Sequence, residues 1–161
     1  MAQILDATTS PELLADARAL FGEYQASLAS DPNHVAMLEA QGFDQEIAGL
    51  PGKYAPPSGR LLLASVLGRA AGCVALQRVD EDRAEMKRMY VRPEYRGQSI
   101  GRILAAAIVD HARAIGYRRM LLDTLPHMKE AVALYRSIGF RDTARYRYNP
   151  IEETVFFELI L

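Results

Sequence analysis

Apolar residues in the first fifty positions recur at helical spacing, and those that follow come in short aliphatic runs. Leu13, Leu14, Ala17, Leu20, Phe21 and Tyr24 lie three and four apart, along one face of a helix. Ser10 followed by Pro11 supplies a cap and a first-turn proline, so the pattern predicts a helix to about Leu28, after a short strand over 4–7. Ser30-Asp31-Pro32-Asn33 breaks it, and a weaker helical pattern over 34–50 runs into a loop over 50–59 that is dense in proline and glycine.

The next segments read as strands. Residues 60–66 and 70–79 flank the turn Leu67-Gly68-Arg69 as a hairpin, and a third strand over 84–91 follows the turn Asp80-Glu81-Asp82. Strict alternation along that third strand places Glu85, Lys87, Met89 and Val91 on one face, and Met86, Arg88 and Tyr90 on the other. Helical spacing then returns from Ser99, through Ile100, Ile103, Leu104, Ala107, Ile108, Ala112 and Ile115, and Gly116 closes the run. A strand over 119–125, a helix over 129–137 ended by Gly139 and a strand over 154–161 complete the chain. An antiparallel half joined to a strand-helix-strand half is an α+β fold, expected as one domain over 1–161.

Charge and composition narrow the partners. A net charge of -1 gives no bulk attraction to nucleic acid or to an anionic membrane, and neither is expected as a partner. The start Met1-Ala2-Gln3-Ile4-Leu5-Asp6 lacks the character of a signal peptide, and no apolar run approaches the ~20 residues of a membrane helix. The single cysteine, Cys73, lies in an apolar run; it reads as a core residue and suits a reducing, cytoplasmic setting.

The segment Arg96-Gly97-Gln98-Ser99-Ile100-Gly101-Arg102 sits where a strand gives way to the strongest helix. The first N–H groups of a helix have no internal partner and the helix dipole favours negative charge there, so the loop reads as an anion site. Glycines allow close approach to the main chain, and Arg96 and Arg102 add charge-assisted donors. Several donors in a row match a pyrophosphate better than a lone carboxylate. Neither a Walker A loop nor a G-x-G-x-x-G fingerprint is present.

The stretch from Met89 through Val91, Pro93, Arg96 and Gly97 to Gly101 resembles the cofactor signature of the GNAT superfamily of N-acetyltransferases. A second superfamily signature is matched by Ala131-Val132-Ala133-Leu134-Tyr135-Arg136-Ser137-Ile138-Gly139-Phe140. The resemblance covers 60–161 well and the first fifty-odd residues in outline. It implies a mixed, mostly antiparallel central sheet with a splayed parallel strand pair and helices on both faces. It also implies acetyl-CoA as cofactor, held by the main chain of Met89, Tyr90 and Val91 along the pantetheine arm and by residues Arg96, Gly97, Gln98, Ser99, Ile100, Gly101 and Arg102 at the pyrophosphate. Two positions depart from the family pattern. Ser99 replaces the usual first glycine, where it is expected to cap the helix, and Met128 stands where many members have an asparagine.

By the same resemblance Tyr135 is the general acid that protonates the departing sulfur, and Glu85 the carboxylate that deprotonates the amine through water. Asp123 and His127 are the other candidates for base. The family layout brings the loop around Tyr54, Arg88 on the nearby strand, and Tyr146 and Tyr148 to the acceptor pocket. Arginine beside tyrosine suits a small acceptor bearing a carboxylate, such as an amino acid. The expected activity is acetyl transfer to a primary amine of a small molecule in a ternary complex, with a homodimer by family analogy. The alternative is a non-catalytic acyl-CoA-binding sensor or interaction module.

Overall fold

The computed structural model describes residues 1–161. In chain order its elements are β1 (Ala2–Asp6), α1 (Pro11–Leu28), α2 (Pro32–Ala40), α3 (Phe43–Ala48), β2 (Arg60–Val66), β3 (Arg69–Arg78), β4 (Arg83–Val91), α4 (Ile100–Ile115), β5 (Arg119–Thr124), α5 (Lys129–Ile138), β6 (Arg141–Asp142) and β7 (Val155–Ile160). Ser10 caps α1 as expected, its Oγ accepting from the Leu13 N–H at 3.1 Å. The helical pattern over 34–50 is two helices rather than one. Gly42 adopts φ +67° between α2 and α3, a conformation that breaks a helix and favours glycine.

The strands form one seven-stranded sheet in the order β1-β2-β3-β4-β5-β7-β6. Only β4 and β5 run parallel. Helices cover both faces. On one, Leu61, Leu63, Cys73 and Ala75 pack against Ala17, Leu20 and Phe21 of α1 and Phe43 of α3. On the other, Leu62, Ala64, Val74 and Leu76 pack against Leu104, Ile108 and Ala112 of α4. The sheet is buried on both sides, which explains why the central strands read as continuous apolar runs rather than as alternation. No helix is long and apolar enough to cross a membrane.

Two irregularities in β4 decide the position of the site. First, its parallel pairing with β5 covers only Arg83↔Arg119, Ala84↔Met120 and Glu85↔Leu121, so the strands part beyond Glu85. Second, Ala75 pairs with Lys87 while Cys73 pairs with Tyr90, leaving Arg88 and Met89 opposite Val74 alone. This is a β-bulge, and Arg88 within it has φ +60°. The bulge overturns the strict alternation expected along this strand. Met89 and Val91 join Ala84 and Met86 on the α4 face, whereas Tyr90 packs on the α1 face.

Arg88 is 5% exposed and forms a bidentate pair with Glu46 of α3, Nε to Oε2 at 2.8 Å and Nη2 to Oε1 at 3.0 Å. Its guanidinium also lies 4.5 Å from the centre of the Phe43 ring. Removing one member of a buried pair leaves the other charge uncompensated. Arg88→Met should therefore cost about 3–5 kcal/mol of stability in urea unfolding, and Arg88→Met combined with Glu46→Leu should recover most of it.

Candidate active site

Where β4 and β5 part they enclose a cavity of about 130 Å³, lined also by Tyr24 of α1, by His34 and Met37 of α2 and by Gln41 just past its end. Lys87, Arg88 and Met89 line it from β4, Asp123 and Thr124 from β5, and Tyr135 from α5. Tyr135 is held edge-on to Phe140 with ring centres 5.9 Å apart, and its hydroxyl makes no hydrogen bond to the protein. Burial, with smaller effects from Tyr24 and Asp123, pushes its phenol above the ordinary tyrosine value, so it keeps its proton at neutral pH.

Glu85 lies behind this cavity rather than in it. It is 1% exposed and does not line the wall. Its carboxylate accepts from Gln77 Nε2 at 2.6 Å and from the Tyr146 hydroxyl. Arg147 Nε stands 3.0 Å from Glu85 Oε2 as an ion pair, without the alignment of a hydrogen bond. A carboxylate so enclosed organises its neighbours and makes no direct contact with the cavity. The carboxylate that does face the cavity is Asp123, which accepts from Arg147 Nη2 at 2.9 Å and Asn149 Nδ2 at 3.2 Å.

The residues expected around the acceptor are placed differently from one another. Tyr54 is fully buried in the core beneath α1, edge-on to Phe21, and lines no part of the cavity. Tyr146 is tied to Glu85, and Tyr148 is 78% exposed on an outer groove beside Lys53 and Gln41. Arg88 lines the cavity, but its donors are taken by Glu46. His127 stacks obliquely on His34 with ring centres 5.6 Å apart and lies outside the cavity. Cys73 is buried and its thiol is pushed up to about 12 by that burial, which excludes it as a nucleophile.

Sequence reasoning missed His34, Gln41, Lys87 and Asn149. The first two sit on the weakly patterned helix α2 and at its C-terminal cap. Lys87 stands among other charges of its strand, Glu85 and Arg88, so nothing in the pattern set it apart. Asn149 lies in an irregular segment that no periodicity describes.

At the other end of β4 the loop Arg96–Arg102 has the form of an anion cradle. Gly97 has φ +79°. The first helical bond of α4 runs from the Ile103 N–H to the Ser99 carbonyl, so the N–H groups of Ile100, Gly101 and Arg102 precede it without internal partners. A Cβ on Gly101 would meet only Leu134 Cδ2 at 3.5 Å and Val91 Cγ2 at 3.9 Å. Packing therefore does not require glycine there, whereas close approach of an anion does. Arg96 secures the loop to the strand, donating to the Val91 carbonyl at 3.0 Å with its guanidinium 6.0 Å from the Tyr90 ring centre. Arg102 donates to Ser137 of α5 at 2.8 Å. Ser99 does not cap the helix as expected: it has φ +63° and its side chain makes no capping bond. It occupies in strained form a left-handed position suited to glycine.

The beyond-Glu85 edge of β4 that faces β5 has no strand partner, and this edge leads from the anion cradle to Tyr135 and Asp123. An extended ligand with a pyrophosphate at one end and an amide-bearing arm can lie along it as an added strand would. The sheet is thus opened at one parallel pair, with an anion cradle at one end of the gap and Tyr135 lining the cavity within it. The family model described as Acetyltransferase (GNAT) family matches residues 15–140, and the chain belongs to that family, with acetyl-CoA as its co-substrate. An uncharacterised N-acetyltransferase of Schizosaccharomyces pombe is 39% identical over 157 residues, covering 96% of this chain and 93% of that protein. An acetyltransferase of Streptococcus agalactiae superposes with a TM-score of 0.79 at 24% identity, covering 99% of this chain and 98% of that one. A GNAT family acetyltransferase of Elizabethkingia anophelis, solved with acetyl-CoA bound, matches at 22% identity and TM-score 0.59, covering 75% of this chain and 82% of that one.

Two consequences can be measured. Ser99→Gly relieves the left-handed strain and should raise stability by about 1 kcal/mol in chemical unfolding, without weakening acetyl-CoA binding. Lys87 gives a pH signature. Burial lowers its ammonium to about 8, against 10.5 for a free lysine, the attraction of Glu85 being too weak to offset it. The folded state thus holds this proton less tightly than the unfolded state. The penalty is complete below about pH 8 and shrinks as pH rises towards 10.5, where both states are neutral. Lys87→Met should be more stable than the parent by about 2–3 kcal/mol at pH 7. That advantage should fade through this window when unfolding is followed against pH.

Proposed function

We propose that the protein transfers the acetyl group of acetyl-CoA to a primary amine of a small molecule, by direct attack of the amine within a ternary complex. The reading rests on Tyr135, whose hydroxyl is free of protein partners and lines the same cavity as Asp123, beside the unpaired edge of β4. Bound there, acetyl-CoA supplies an acetyl group activated as a thioester. The N–H groups at the start of α4, with Arg96 and Arg102 beside them, hold the pyrophosphate, and the free edge at Met89 and Tyr90 holds the pantetheine amides. Met128, at the start of α5, borders the cavity with a thioether where an amide would add a polar contact.

Much of the rate enhancement comes from holding amine and thioester together in a small cavity. Tyr135 carries its proton and delivers it to the departing sulfur. Asp123, rather than Glu85, takes the proton of the amine, since it is the carboxylate that faces the cavity. The reaction takes place in the cytoplasm, in keeping with a single buried cysteine. The homodimer carried over from the family is tested by light scattering.

The deciding experiment is thiol release from acetyl-CoA against a panel of amines and amino acids. Tyr135→Phe should lower kcat about 100-fold while leaving the Kd of acetyl-CoA unchanged, and Asp123→Asn should likewise lower kcat without weakening acetyl-CoA binding. Tight acetyl-CoA binding with no thiol release for any amine would instead identify a sensor.

A further inference from the structure

The cations around the cavity are satisfied except for one. Arg88 spends its donors on Glu46 at 2.8 and 3.0 Å. Arg147 stands between Asp123 at 2.9 Å and Glu85 at 3.0 Å. Arg145 donates to the carbonyls of Asn149 and Glu152, both at 3.3 Å. Lys87 is different. Its side chain is 5% exposed, yet its nearest oxygens are Gln41 Oε1 at 3.5 Å and Glu85 Oε1 at 3.9 Å. Glu85 cannot close on it, because that carboxylate already serves Gln77, Tyr146 and Arg147. A buried ammonium without a short partner is costly, and the cost is recovered only when an anion arrives.

The place of Lys87 says where that anion sits. Its side chain lines the cavity of Tyr135 and Asp123 and also the outer groove beside Gln41, Lys53 and Tyr148, so it stands between acceptor entry and the reacting centre. Asp123 lies on the facing strand with the opposite charge. One ammonium on β4 and one carboxylate on β5, in a cavity of about 130 Å³, form a complement to a small zwitterion. Gln41, whose Oε1 accepts from Lys87 Nζ, carries a donor of its own at Nε2 beside the ammonium.

We propose that Lys87 anchors a carboxylate on the acceptor, which makes the acceptor an amino acid or a related amino-carboxylate whose ammonium lies towards Asp123. This assignment rests on the acetyl-transfer reading of the cavity and gives it a substrate class. It also replaces the arginines as the source of carboxylate recognition. A bound carboxylate supplies the short ion pair that Lys87 lacks and raises its affinity for a proton. The other charges facing Lys87 are Glu85 and Arg88 on its own strand, Asp123 on β5 and Arg147 from the segment before β7. They are engaged with one another or with Glu46.

The test pairs α- and ω-amino acids with their carboxamides as acceptors, measuring thiol release from acetyl-CoA. The wild type should prefer the acids by at least about 30-fold in kcat/KM, mainly through KM. In Lys87→Gln the ratio should fall to within about threefold, and Lys87→Arg should restore part of it. Circular dichroism and the companion variant Lys87→Met separate this loss from misfolding. Calorimetry gives a second readout. The best acid of the panel, titrated at pH 8.5 into enzyme saturated with CoA, should show proton uptake in the wild type and none in Lys87→Gln. Equal use of carboxamides or of simple alkylamines by the wild type would overturn the anchor while leaving acetyl transfer intact. A preference that persists in Lys87→Gln, or binding without proton uptake, would overturn it as well. No thiol release with any acceptor would remove the acetyl-transfer reading and the anchor together.

Discussion

The parting of β4 from β5 after Glu85↔Leu121 leaves half of a central strand without a neighbour on one side. Unpaired main-chain groups in the middle of a sheet are costly, so the half-strand has to be held by other means until a ligand supplies the missing hydrogen bonds. Side chains do this. Arg88 reaches into α3 to Glu46, and Arg92, just past the strand end, reaches into α1 to Glu23 with contacts as short as 2.7 Å. The bulge at Arg88 turns that side chain to the helical layer while keeping Met89 on the α4 face. The free edge, the cavity at its head and the phosphate cradle at its foot all depend on this one local departure from regular pairing.

A site opened in this way collects charge that the core would otherwise exclude. Glu85, Lys87 and Arg88 are consecutive or alternate residues of one strand, each nearly inaccessible. Their surroundings sort them into different tasks. Arg88 is neutralised by a single partner and serves structure. Glu85 accepts two hydrogen bonds, pairs with Arg147 and fixes the positions of Tyr146 and Arg147. Lys87 has only long contacts, and burial lowers its proton affinity. The first two charges hold the frame; the third carries a standing cost to stability. Such a cost is usual where binding depends on a group that is incompletely solvated before its ligand arrives.

Several parts of this arrangement were legible in the residues. Ser10-Pro11 and the spacing from Leu13 to Tyr24 gave α1 with its cap, and the apolar face from Ile100 to Ile115 gave α4, because local chemistry decides both. The cradle was legible for the same reason, since an exposed helix start after glycine has one dominant chemistry. The bulge was not. Strict alternation over Glu85 to Val91 is the natural reading of seven residues, and nothing local marks Arg88 as a left-handed residue. Its conformation is fixed by Glu46 and Phe43, which lie more than forty residues earlier in the chain. For the same reason the enclosure of Glu85 by Gln77, Tyr146 and Arg147, and the place of Tyr54 in the core, were not legible. β6, two polar residues long, is made by its partner β7 rather than by any pattern of its own.

Ser99 shows how a family pattern and a local rule can disagree. A serine before a helix is ordinarily read as a cap, whereas the family signature that this segment resembles has glycine at the position. The backbone follows the second rule: φ is +63°, and the hydroxyl is not used for capping. The shape of the cradle is therefore set by the requirement that successive N–H groups point the same way, and the side chain at this position adapts to it. A strained residue retained at a binding loop costs stability without adding a contact inside the protein. The geometry it preserves is that of Gly97 through Arg102, in which the main chain does the binding and side-chain identity matters chiefly through what it permits the backbone to do.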